Sequence, residues 1–212
     1  MIFRMLLVLC FLVFSLASNV QHLAAASLQN LTPMNQLQMQ NIQRQTLDYS
    51  CGAAALSILL THYFEDPWGE KVLLANLLYH LSDEERIERV QEGFSMLDLK
   101  NTAEQLGYSA EGVYLSASSL EMLPGPVIIL LRKEKLNHFV VLKGAAEGKA
   151  FLADPVRGHL RQPIHQFLEE WQGETLILGR PNFGLPQRHA LALPFSPFLA
   201  PEQESVRTLI PR

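Results

Sequence analysis

Gln45-Thr46-Leu47-Asp48-Tyr49-Ser50-Cys51-Gly52-Ala53-Ala54-Ala55-Leu56-Ser57-Ile58-Leu59-Leu60 begins as a polar stretch and turns apolar at a single cysteine. From Cys51 to Phe64 apolar residues lie nearly all round a helical wheel, and a helix apolar on every side belongs in the middle of a domain. Asp48 and Ser50 precede it and are good capping types, while Pro67 and Gly69 follow its end. A central helix with Cys51 at its first turn is therefore expected. The first N–H groups of a helix are unpaired and its dipole is positive there. Both favour thiolate over thiol, and the thiolate is the form that attacks a carbonyl. Gly52 is expected to leave room for a substrate backbone, and the alanines behind it to let the helix pack tightly on a sheet.

Working outward toward the C-terminus, Leu73 to His80 reads as a second helix, Ser82 caps a third through Gln91, and Ser95 to Leu106 forms a fourth with Gly107 just past its end. The pattern then changes. Ala110 to Tyr114 is strand-like, Ser116 to Met122 suits a short helix, and Pro124-Gly125-Pro126 breaks the chain. Val127 to Leu131 (VIILL), Phe139 to Leu142 (FVVL), Phe151 to Ala153 and Thr175 to Leu178 are apolar runs of strand length. Short connections at Arg132 to Asn137 and Lys143 to Lys149 suggest antiparallel hairpins. Pro163 opens a helix ending near Trp171, closed by Gly173. Helices first and an antiparallel sheet second make an α+β domain over residues 45–180.

Toward the N-terminus, residues 27–44 read as a polar, extended lead-in. Arg4 followed by the uncharged Met5 to Leu16 has the form of a signal peptide over residues 1–26, since twelve residues fall short of the ~20 that span a bilayer. An uncleaved signal anchor is the alternative; both place the domain outside the cytoplasm. Residues 181–212 carry six of the chain's twelve prolines and read as an irregular tail, either wrapping the domain or loose. With 48% hydrophobic and 18% charged residues the 212-residue chain can bury a proper core. A net charge of −4 without a basic run points away from a nucleic-acid partner. Two cysteines are present, and removal of the signal takes Cys10, leaving Cys51 with no disulfide partner. A lone exported cysteine is either a reactive thiol or a buried small hydrophobe.

The surroundings favour the reactive thiol. Gln45, six residues before Cys51, could hold an oxyanion together with the Cys51 N–H without adding a competing base. Of seven histidines, His62 and His80 fall in helical stretches, His22 lies by the signal, His189 in the tail, and His159 and His165 flank a turn and a helix start. His138 stands apart: it precedes the FVVL strand after a polar turn, at a sheet edge where an imidazole can lean toward a site. Asp154 ends the strand FLAD one hairpin later, placed to fix the histidine's tautomer. An Asp before Pro155 also commonly caps a turn, and the two roles are compatible. The scattered Cys and His offer no zinc spacing, so no metal or other cofactor is expected.

Taken in order, Gln45-Thr46-Leu47-Asp48-Tyr49-Ser50-Cys51-Gly52-Ala53-Ala54, Asn137-His138-Phe139-Val140-Val141-Leu142 and Asp154-Pro155-Val156-Arg157-Gly158 resemble the C39 peptidases, papain-like cysteine peptidases best known as leader-cleaving domains of bacteriocin exporters. The resemblance spans about Gln45 to Gly179. It implies Cys51 as nucleophile, His138 as base, Asp154 as orienting residue and Gln45 as oxyanion donor. The sequence carries neither a transmembrane bundle nor an ATPase and begins with a signal, unlike those exporters. In this it resembles the branch of the family attached to functional-amyloid secretion in Gram-negative bacteria, which implies a periplasmic site of action, amyloid subunits as protein substrate and an outer-membrane secretion pore as partner. A non-cleaving peptide-binding or chaperone module on the same fold, and transamidation by the same residues, are the competing functions.

Overall fold

The computed structural model describes residues 33–79, 81–133, 136–186 and 188–193. Contacts divide the chain into two units, residues 1–37 and 38–212. The expected signal, the first part of the lead-in, and the tail beyond residue 193 lie outside the described residues. Where it is described, the lead-in is not simply extended: it holds a short helix, α1 (Met34–Gln38), with no buried residue.

Helix α2 (Cys51–His62) is the core element, buried continuously from Cys51 to Leu60. Leu56, Ile58, Leu59 and Leu60 are each 0% exposed, a burial worth roughly 1.5–3 kcal/mol per side chain. Helices α3 (Glu70–Tyr79), α4 (Asp83–Glu92) and α5 (Met96–Gln105) follow. Ser82 and Ser95 cap α4 and α5 in reciprocal capping boxes with Glu85 and Asp98.

Six strands form one antiparallel sheet: β1 (Ser109–Tyr114), β2 (Val127–Lys133), β3 (Leu136–Ala146), β4 (Lys149–Asp154), β5 (Gly158–Pro163) and β6 (Trp171–Gly179), in the order β1-β6-β2-β3-β4-β5. A 3-10 turn (Ala117–Met122) precedes β2, and helix α6 (Ile164–Glu170) joins β5 to β6. Ile128, Phe139, Val141, Ala153 and Leu176 pack with the residues of α2, α3 and α5 on one face. Their sequence neighbours Val127, Ile129, Val140, Leu142 and Leu152 pack with Leu120, Phe167 and Trp171 on the other. Burial on both faces explains why VIILL and FVVL show no polar alternation despite lying in an antiparallel sheet.

Three local expectations are corrected. His159 belongs to β5, a strand hidden in the sequence by the polar run His-Leu-Arg-Gln between Gly158 and Pro163. Gly173 does not close a helix: α6 ends at Glu170, and Gly173 sits inside β6 with φ +107°, where an added Cβ would stand 2.9 Å from Leu115 O. His138 is not at the start of its strand but within β3, which reaches back to Leu136 and pairs His138 with Leu131. The described part of the tail is irregular and packed: the Phe183 ring lies 5.0 Å from Phe64, and Leu191 is 0% exposed.

Candidate active site

Cys51 opens helix α2, and the residue before it governs what the helix end can do. Ser50 occupies the N-cap position but makes no side-chain cap. Its hydroxyl donates to the carboxylate of Glu70, lies 2.9 Å from Leu47 O, and accepts from Leu47 N–H (3.1 Å). The sequence expectation that Ser50 caps the helix is thus corrected. Its side chain is drawn away, so the first N–H groups of α2 receive no cap from it and the helix end stays positive at Cys51. Cys51 itself is a free thiol, 7% exposed. Gly52 does not face a substrate: a Cβ there would meet Leu99 Cδ2 at 3.0 Å and Phe139 Cδ2 at 3.4 Å. Its missing side chain lets α2 approach α5 and β3.

Strands β3 and β4 run antiparallel, with Val141 opposite Ala153. His138 lies upstream of Val141 and Asp154 just downstream of Ala153, so both stand at the same end of this strand pair. His138 Nε2 is 3.1 Å from Asp154 Oδ1. Asp154 is 0% exposed and fully partnered. Its Oδ1 also accepts the Val156 and Arg157 N–H groups at 2.7 and 3.0 Å, and its Oδ2 accepts Arg157 Nε–H at 2.7 Å. The turn role and the histidine contact coexist in this one carboxylate.

Electrostatics follow from these contacts. Burial is the largest influence on His138 and opposes its protonation, but the hydrogen bonds to Asp154 and Cys51 and the charges of both outweigh it and push its pKa up to about 9. For Asp154, burial again is the largest influence and raises the pKa. The His138 bond and charge, the Val156 N–H and Arg157 overcome it and hold the carboxyl well below the usual range. Cys51 is the second partner of the His138 ring. With Nε2 turned to Asp154, Nδ1 is the ring nitrogen left for the sulfur.

Gln45 is half-buried. Its N–H donates to Pro155 O at 3.3 Å, tying it to the turn that carries Asp154. One amide N–H donates to Leu47 O at 3.3 Å, and a second remains. Its Oε1 is buried without a partner.

Two residues escape sequence reasoning. Glu70, 2% exposed, binds the segment between Gln45 and Cys51, yet in sequence it is an ordinary acid in the first turn of a helix. Arg157 sits in the Asp154 block without a distinguishing signal; only the spacing of three from Asp154 hints at a local pair. Among the described residues no group of three or more His, Cys, Asp or Glu could hold a metal, and no helix is long and apolar enough to cross a membrane.

Known proteins are similar to this chain in sequence and in fold. A relative from Pseudomonas aeruginosa named "Probable functional amyloid protease FapD" is 34% identical over 161 residues, covering 76% of this chain and 69% of that protein. The lactococcin-G-processing and transport ATP-binding protein LagD of Lactococcus lactis is 28% identical over 142 residues, covering 66% of this chain and 19% of that one. Among solved structures, a double glycine motif protease from an AMS/PCAT transporter, in complex with the leader peptide, superposes with a TM-score of 0.52 at 28% identity, covering 65% of this chain and 89% of that chain. The peptidase domain of Streptococcus ComA shares the fold with a TM-score of 0.56 at 20% identity, covering 66% and 97%. The model of the Peptidase C39 family matches residues 39–182, more than half of the chain, and with the FapD relative it establishes that this protein belongs to the C39 family of papain-like cysteine peptidases.

Proposed function

We propose that this protein is a periplasmic cysteine peptidase that cleaves a peptide bond in an exported protein during secretion or processing of functional amyloid. The observation that carries the catalytic part is the imidazole of His138 between two partners, the Asp154 carboxylate at 3.1 Å and the Cys51 sulfur. The amyloid link is supported by the name of the FapD relatives, and a double glycine motif in the substrate by the double glycine motif protease of similar fold.

The chemistry is acyl transfer. His138 draws the proton from Cys51, or the two already rest as an ion pair, and the thiolate attacks the peptide carbonyl. Asp154 keeps the ring oriented and steadies the imidazolium. The remaining Gln45 amide N–H and the open N–H of Cys51 receive the oxyanion. His138 then returns the proton to the leaving amine, and water activated by the same ring cleaves the thioester. The test is mass spectrometry of secreted proteins from cells carrying the wild type or Cys51→Ala. A protein that is shortened only in the wild type names the substrate. Identical protein profiles, with an unaffected amyloid, would instead favour the binding or chaperone module.

A further inference from the structure

Glu70 begins helix α3 and is 2% exposed. A buried carboxylate is costly unless it is well bonded. Among the described residues its three hydrogen-bond donors come from one short segment: Thr46 N–H at 2.8 Å, Thr46 Oγ1–H at 2.9 Å, and the Ser50 hydroxyl. None of them is a cation. Thr46 follows Gln45 directly and Ser50 precedes Cys51 directly, so one carboxylate grips both ends of the link between them. The same grip turns the Ser50 hydroxyl away from the helix end. It also keeps Gln45 over the Asp154 turn, where its N–H reaches Pro155 O and its Oε1 is left buried without a partner.

We infer that Glu70 is a positioning residue for the acyl-transfer site: it sets the Gln45 amide relative to the Cys51 N–H so that both meet the same oxyanion. This rests on the acyl-transfer reading proposed above. Glu70 touches neither substrate nor reacting atoms; it acts through Thr46 and Ser50. Because the role is geometric, an uncharged acceptor of the same length serves: in Glu70→Gln the amide oxygen accepts from Thr46 N–H and Ser50, while the amide N–H donates to Thr46 Oγ1, whose hydroxyl can turn to accept.

The experiment compares two reactions of Cys51 in the folded protein. Alkylation by iodoacetamide needs the sulfur but creates no oxyanion. Acylation by p-nitrophenyl acetate needs both the sulfur and the oxyanion donors, and requires no peptide-binding cleft. Glu70→Ala is expected to slow acylation by ~10–100-fold, the effect of misplacing an oxyanion donor, while alkylation stays within about threefold of wild type. Glu70→Gln is expected to restore acylation to within about fivefold. Because Glu70 acts through Gln45, the double variant Glu70→Ala/Gln45→Ala is expected to acylate no more slowly than Gln45→Ala alone. Wild-type acylation paired with undiminished acylation in Glu70→Ala overturns the inference and leaves the peptidase reading intact. Parallel loss of alkylation and acylation with a lowered melting temperature overturns it too, assigning Glu70 to folding only. A wild type acylated no faster than free cysteine, and unaffected by His138→Ala, overturns the peptidase reading and this inference with it.

Discussion

Arg157 donates its Nε–H to Asp154 Oδ2 at 2.7 Å, on the carboxylate oxygen that His138 leaves free. The histidine's partner is thereby held from both sides. The Arg157 side chain is 45% exposed, and half-exposed ion pairs contribute little, ~0–1 kcal/mol. Asp154 would keep His138 and two backbone N–H donors without it. Arg157→Gln is therefore expected to lower kcat/KM by less than ~10-fold, whereas Asp154→Asn, which removes the charge and offers the ring a donor, costs ~10²–10⁴-fold. Steady-state kinetics on a cleaved peptide check this. Equal losses would make Arg157 indispensable to the dyad.

The pKa directions set the pH behaviour. His138 is raised from 6.5 to about 9 in the folded protein. Its contribution to stability is thus fully present below pH 6.5 and is lost as pH rises toward 9. Asp154 is depressed from 3.8, so its contribution is present above pH 4 and is lost as pH falls below that. Urea denaturation across pH 5–10 should show stability declining between pH 6.5 and 9, a slope that His138→Ala flattens. Activity should fall over the alkaline part of the same window, because a neutral imidazole has no proton for the leaving amine. A flat alkaline profile in the wild type would contradict the His138–Asp154 pairing.

Cys51→Ser changes little volume at a site 7% exposed. The variant is expected to melt within a few degrees of wild type while losing activity by at least ~10³-fold, since oxygen is a poor nucleophile without further activation. Calorimetry and peptide hydrolysis read the two effects separately. Aggregation of Cys51→Ser would assign the sulfur to packing.

Gly158 closes the turn after Asp154 with φ +83°, and a Cβ there would run into Gln38 O and stand 2.8 Å from Met39 Sδ. Left-handed backbone costs a non-glycine residue ~1–2 kcal/mol even where space is open. Here the added carbon also displaces the strand-hugging segment 38–40, which His159 Nε2 anchors at Gln40 O. Gly158→Ala is expected to lower the melting temperature by more than ~5 °C and to weaken activity by shifting Asp154. A melting temperature within a degree of wild type would show that segment 38–40 yields freely.

These tests bear on what the sequence discloses. Cys51, His138 and Asp154 stand out because each sits at a boundary between a polar turn and an apolar run, a one-dimensional signal. The fold follows from the same runs, except β5, whose side chains are too polar to announce a strand, and Gly173, which punctuates a strand rather than a helix. Glu70 is illegible for a different reason. Its importance lies in three donors 20–24 residues upstream, and nothing local to Glu70-Lys71-Val72-Leu73 distinguishes a buried acid from the solvated acids at the start of α4. Gly52 reads as an opening for substrate because local sequence cannot show that Leu99, far along the chain, fills the space beside it.

That last correction is itself testable. A methyl at Gly52 meets Leu99 Cδ2 at 3.0 Å and Cδ1 at 3.3 Å, the far end of a side chain that is 0% exposed and boxed in by core. Overpacking of this kind costs ~1–3 kcal/mol, offset in part by the better helix propensity of alanine. Leu99→Ala alone leaves a cavity and costs ~2–5 kcal/mol. The double variant Gly52→Ala/Leu99→Ala places the new methyl into that cavity, so its destabilisation should be smaller than the sum of the two by ~1 kcal/mol or more. Denaturation of the four proteins closes the cycle. Strict additivity would mean that Gly52 faces open space after all, returning it to the substrate side of the site.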